Sequence, residues 1–201
     1  MTRPFVLGVT GNIACGKSTV LHILAGHGAS TIDADTVYHN LIVPQAPLWH
    51  TLHRRFGDRI LNTDATINRR ALGAIVFADP TALADLDQLT HPAIEDEIRR
   101  RIAVVRESLV VVDAVKLIES GFADECDAVW LVVCDRPRQL ERLIARNHLS
   151  HRAAEQRLDA QPPLGPKLSR ADVVIDNSGS LEETRRQVER AAARLPSVNV
   201  G

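Results

Sequence analysis

Residues 11–19 read GNIACGKST, and this short stretch constrains the chain more than any other. Gly11 and Gly16 frame four residues and are followed at once by Lys17 and Ser18, the pattern G-x-x-x-x-G-K-[ST] of a phosphate-binding loop. An apolar run, FVLGVT (5–10), precedes it, and a helix-like run, VLHILAGHG, follows. Such a loop must turn its backbone N–H groups toward phosphate oxygens, and glycine permits both the dihedrals and the close approach. The expected cradle is Gly11, Asn12, Ile13, Ala14, Cys15, Gly16, Lys17, Ser18 and Thr19. In it Lys17 supplies a charge to the β and γ phosphates, Ser18 offers its hydroxyl to Mg²⁺, and the helix N-terminus points at the anion.

Four further β-branched runs follow: STIDAD (30–35), SLVVVDA (108–114), AVWLVVC (128–134) and ADVVIDN (171–177). Near-continuous apolar strands alternating with helical sequence predict an α/β fold with a parallel sheet covered on both faces. About seventy residues between the second and third runs carry helical periodicity instead, which predicts a substrate-binding insertion over 36–106. The core is then 1–35 plus 107–201, with an arginine-rich helical lid over about 138–165 that ends at the turn cluster QPPLGP. Ser180 followed three residues later by Glu183 predicts a capping box opening the last helix.

Composition removes several classes. Net charge is −1, which argues against a general nucleic-acid or acidic-membrane binder. Seven aromatic residues in 201 are too few for base-stacking surfaces. Three scattered cysteines form neither a disulfide framework nor a zinc site, and they fit a reduced, cytoplasmic setting. Cys15 reads as a small space-filler open to oxidation. No 18-residue apolar run predicts a membrane span, and cleavage of a signal peptide would destroy the loop. No repeat or coiled-coil seam declares an oligomer, so a monomer or weak homo-oligomer is expected.

Acidic residues close two of the strand runs. Asp33 and Asp35 follow the second; if the strand continues that far, alternation puts both on one side, where either can face the γ-phosphate as a base or orienter. The competing reading makes either one the N-cap of the helix TVYHNLI. Asp113 closes the third run as a Walker B carboxylate would, holding Mg²⁺, or else as a cap. Lys116 and Glu119 form a surface ion pair, or Lys116 points at substrate phosphate. Arg142 and Arg146 share a helical face and either present a lid to the transferring phosphoryl group or pair in solvent with Glu141 and Glu155. His91-Pro92 is expected to open a long helix, with Pro near its first position.

These residues together resemble the dephospho-CoA kinase family. The matching pieces run through almost the whole chain: GVTGNIACGKSTV, TIDADTVYH, FGDRIL with INRRALGAIVF, LTHPAIEDEI, VVVDAVKLIESG, RLIARN with AEQRLDAQ, and ADVVIDNSGSLEE. The resemblance implies a P-loop core with strand order 2-3-1-4-5 and Mg²⁺-dependent transfer of the ATP γ-phosphate to the ribose 3′-hydroxyl of dephospho-CoA. It further implies that Asp33 is the base, that Arg142 and Arg146 are lid arginines, and that Asn177 and Gly179 sit where adenine is approached. Asp35, Arg69, His91 and Lys116 would serve the acceptor side. The chain departs from the family pattern at Asn12 and Ala14, where glycine is usual, at Ala65 in a turn, at Asn68, and at Val115 and Lys116 after Asp113. Three rivals stand beside it: another small-molecule kinase on the same core, distinguished by its acceptor; a nucleotide-binding switch, which needs neither insertion nor arginine lid; and a catalytically silent relative, disfavoured because Lys17, Ser18, Asp33, Arg142 and Arg146 are all present.

Overall fold

Each apolar run forms a strand, because residues such as Leu109–Val112 and Val129–Val132 are apolar on both faces and are buried on both. The strands are β1 (Phe5–Thr10), β2 (Ser30–Asp33), β3 (Leu109–Asp113), β4 (Ala128–Val133) and β5 (Val173–Asp176). The computed structural model describes residues 3–195; residues 1–2 and 196–201, the outer ends of the segments assigned to the core, lie outside them. The strands form one five-stranded parallel sheet in the order β2-β3-β1-β4-β5, as expected. The register sets Val6 beside Val110 and Gly8 beside Val129. β1 therefore sits at the centre, and the loop that follows it leaves from the middle of the sheet's carboxyl edge, where ligands of open α/β sheets bind. Helix α1 (Lys17–Gly26) buries Val20, Ile23 and Leu24 in the main core with Leu7, Val9 and Val111. His27 is its C-cap and no longer part of the helix.

Residues Asp33–Ala103 form a compact unit of their own. It contains α2 (Ala34–Leu41), α3 (Pro47–Phe56), α4 (Arg69–Ala78) and α5 (Pro80–Val104). Its core gathers Trp49, Leu52, Phe56, Ile60, Leu72 and Val76. The indole N–H of Trp49 donates to the Ala65 carbonyl at 2.8 Å. Ala65 adopts the left-handed region, φ 62°, at the turn position where its relatives are expected to carry glycine. The expectation that His91-Pro92 opens a helix is overturned: α5 runs unbroken through both, with Pro92 inside it. Proline cannot donate its missing N–H to the preceding turn, but 25 residues of otherwise helical sequence carry the chain past one lost bond. The hydroxyl of Thr90, two residues earlier, is turned back to the Leu86 carbonyl at 2.7 Å.

The remaining helices return to the sheet unit. They are α6 (Arg136–Asn147), α7 (His151–Asp159), α8 (Gly165–Arg170) and α9 (Leu181–Ala192). Leu143 of α6 packs with Ala154 and Leu158 of α7, and Ile13 and Ala14 of the loop press on the same cluster. The predicted capping box at Ser180 and Glu183 is present at the start of α9.

Candidate active site

The loop after β1 is shaped by glycine where glycine is needed. Gly16 sits at φ 89°, ψ 33° and is the N-cap of α1 without offering a side chain. No side chain caps the first turn, and there the Thr19 N–H closes onto the Gly16 carbonyl at 3.0 Å, leaving the earlier N–H groups for an anion. A Cβ there would collide with Nδ2 of Asn177, and it would stand 3.1 Å from Nη1 of Arg142. Ala14 also adopts positive φ, 58°, a conformation that alanine takes at more cost than glycine. Lys17 Nζ lies 3.5 Å from the Gly11 carbonyl and 3.8 Å from Oδ1 of Asp113. The ammonium of the loop and the carboxylate closing β3 thus stand at one place, both largely shielded from solvent. Ser18 is exposed in the first turn of α1.

Arg142 occupies a position that neither sequence reading anticipated. Its Nη1 donates to the Cys15 carbonyl at 3.2 Å and its Nη2 to the Asn177 carbonyl at 3.0 Å. Asn177, only 3% exposed, donates its amide to the same Cys15 carbonyl at 2.9 Å and accepts from the Thr184 hydroxyl at 2.8 Å. Two donors therefore fix a carbonyl that would repel phosphate if it faced the anion. The expected partner of Arg142, Glu141, receives Arg138 instead, and Glu155 receives His151. Arg146 is exposed and donates to Asn147 Oδ1 at 3.1 Å.

Other braces were not legible in the sequence. Ile13 donates its N–H to Gln161 at 3.1 Å and accepts from Gln139 at 3.0 Å, while the Asn12 amide donates to the Pro162 carbonyl at 3.2 Å. The lid segment thus holds the loop at the Ile13 backbone and the Asn12 side chain. Burial pushes the Cys15 thiol up, only partly opposed by Lys17, and the side chain is buried in the main core, in keeping with a small space-filler. Gly179 lies in a groove of about 350 Å³ beside Asp176, Glu183 and Gln187, and a Cβ on it would run into the Glu183 carboxylate.

The acidic pair at the end of β2 is not a pair. The strand stops at Asp33, which caps α2: Oδ1 accepts from the N–H groups of Asp35 and Thr36, at 2.8 and 3.4 Å, and Oδ2 accepts from the Thr36 hydroxyl at 2.9 Å. Asp35 lies in the first helical turn, so strand alternation no longer applies to it. Arg69 opens α4, near enough to Tyr38 to oppose the upward push that burial gives its hydroxyl. His91 sits 3.4 Å from Asp87 along α5. Lys116 is exposed in the segment after Asp113, and the Glu119 carboxylate three residues on receives a different cation, Lys167, at 2.9 Å.

Among the described residues no group of three or more His, Cys, Asp or Glu could cage a metal, and no helix is long and apolar enough to cross a membrane. A central β1, a glycine-framed loop, a helix N-terminus and a lysine facing a strand-end carboxylate define a P-loop nucleotide-binding protein, a class that handles the phosphates of a nucleoside triphosphate. The comparisons narrow the class. Residues 5–183 match the family described as dephospho-CoA kinase. A dephospho-CoA kinase of Geobacter sulfurreducens is 45% identical over 195 residues, covering 95% of this chain and 99% of that one. The crystal structure of a Thermus thermophilus protein superposes with a TM-score of 0.83 at 30% identity, over 96% of this chain and 99% of that one. The dephospho-CoA kinase of Campylobacter jejuni does so with a TM-score of 0.67 at 29% identity, over 92% and 94%. The chain belongs to the dephospho-CoA kinase family, whose reaction moves the γ-phosphate of ATP to the 3′-hydroxyl of dephospho-CoA, giving CoA and ADP in the last step of coenzyme A synthesis.

Proposed function

We propose that the loop from Gly11 to Thr19 carries the ATP phosphates, that Lys17 neutralises the charge developing on the transferred group, and that Asp33 receives or orients the acceptor 3′-hydroxyl. The observation that carries this reading is the convergence of the Lys17 ammonium and the Asp113 carboxylate at the end of the braced loop. Little covalent chemistry falls to the protein in such a transfer, so the rate comes from positioning and charge. The Asp33 carboxylate, at the C-terminal end of β2, already accepts three hydrogen bonds, two on Oδ1 and one on Oδ2, so Oδ2 keeps an acceptor direction for a hydroxyl.

Mg²⁺ fits the donor set. It takes few protein ligands and otherwise phosphate oxygens and water, in keeping with one hydroxyl and one carboxylate rather than a cage. Ser18 and Asp113 would hold it, and it would supply charge neutralisation across the β and γ phosphates. Arg142 acts first as a brace of the loop, and Arg146 is the cation free to approach the phosphoryl group. Asn177 and Gly179 border the adenine side. Asp35, Arg69, His91 and Lys116 serve the acceptor, and residues 36–106 form the acceptor-binding insertion. The enzyme works in the cytoplasm as a monomer or weak homo-oligomer.

The test is Asp33→Asn, assayed for CoA formation and for ATP binding. The expected result is a fall in kcat of at least about 100-fold with ATP affinity kept. Equal kcat in the variant and the wild type would remove Asp33 from the chemistry.

A further inference from the structure

Lys167, on α8, is 1% exposed. Its ammonium spends its three donors on the Val115 carbonyl at 2.6 Å, Glu119 at 2.9 Å and the Thr10 hydroxyl at 3.4 Å. Thr10, itself fully buried, in turn donates to the Val115 carbonyl at 3.1 Å. Thr10 is the last residue of β1, directly before the phosphate loop, and Val115 stands two residues after Asp113. One buried cation therefore ties together the start of the loop, the segment that carries Asp113 and Lys116, and the helix that follows the lid.

Stability alone does not account for this choice. Burying an ammonium costs desolvation that its partners only partly return, and an apolar side chain of similar volume is often as stable in its place. What an ammonium does that a methionine cannot is fix a hydroxyl at the end of β1 to a carbonyl and a carboxylate of the segment after β3 at one point. Here those three groups border the carboxyl edge of β1 and β3, where Lys17 meets Asp113.

We propose that Lys167 is a positioning residue for phosphoryl transfer, holding the Asp113 segment in register with the phosphate loop. The proposal rests on the kinase reading of that edge, which wild-type CoA formation from ATP and dephospho-CoA tests separately. Lys167→Met keeps the length of the stem and removes the three donors. Glu119 is 37% exposed and Val115 retains the Thr10 hydroxyl, so the variant has water and a partner for the groups left behind.

The measurement is kcat and KM for both substrates, with metal-free ADP binding as a gauge of the loop itself. The expected result is a kcat lowered by about 10- to 100-fold, the scale of a small misplacement, with ADP affinity and KM for ATP each within about threefold of wild type. A Lys167→Met protein with wild-type kcat, whatever its melting temperature, overturns the proposal. So does a loss of ADP binding equal to the loss of kcat, which would make Lys167 a support of the loop alone. If Lys167→Met does not fold, Glu119→Gln decides by the same readings. It weakens the hold on the ammonium without emptying the site, and it should lower kcat severalfold at constant ADP affinity; an unchanged kcat overturns the proposal there too.

Discussion

Arg142 and Arg146 are spaced as equals, yet their side chains do different things. Arg142 reaches two carbonyls under the loop, whereas Arg146 stays at the surface beside Asn147. Arg142→Ala removes hydrogen bonds from Cys15 and Asn177, so it should weaken ATP binding at least about tenfold and lower the melting temperature, charged hydrogen bonds being worth about 1.5–3 kcal/mol each. Arg146→Ala should leave the melting temperature unchanged and lower kcat, as seen by thermal denaturation beside steady-state kinetics. The reverse pattern would exchange their roles. Gly16→Ala is more severe. It needs a left-handed alanine and displaces Asn177, and isothermal titration should find ATP binding lost in a protein that still folds. At this scale the sequence was legible where backbone freedom or a strand end fixes the geometry: Gly16 is left-handed, and Lys17 meets the carboxylate that closes β3. It was not legible where a side chain reaches across the fold, because Gln139, Gln161 and Lys167 find partners between 48 and 157 residues away.

Elements were read well where periodicity or capping decides them. The strand runs matched β1 to β5 to within a residue or two. β1, β3 and β4 are buried on both faces and have no polar face to confuse the pattern, while the edge strands β2 and β5, partly exposed, still read by their β-branched residues. The end of β2 was misjudged because Asp33 can extend a strand or cap a helix, and only the N–H groups of Asp35 and Thr36 decide which. Pro92 was misplaced for a related reason: proline marks a helix start in most contexts, but neighbouring turns can carry it through. Ser180→Ala, which removes the cap of α9, should cost about 1 kcal/mol, seen as a melting shift of about 2–4 °C. On α5, Arg100 and Arg101 hold the Glu97 carboxyl at about 2, below its ordinary 4.5. A carboxyl lowered by folding stabilises above its unfolded value and loses that contribution as pH falls through the folded one. The melting difference between wild type and Glu97→Gln should therefore be full at pH 7, shrink below about 4.5, and vanish near 2. A difference that does not change with pH would detach Glu97 from the stability of α5.

The whole molecule combines a general phosphate-binding sheet with a helical unit from Asp33 to Ala103, and the acceptor separates this enzyme from other kinases built on the same sheet. A nucleotide switch would hydrolyse ATP slowly whatever alcohol is offered. A dephospho-CoA kinase should hold its turnover until the acceptor is bound. The most direct measurement is ADP release from Mg-ATP with and without dephospho-CoA, with the nucleotide product identified by mass. The account predicts a large stimulation by dephospho-CoA and one CoA formed per ADP. ADP release at the same rate in both conditions, with no CoA formed, would contradict it.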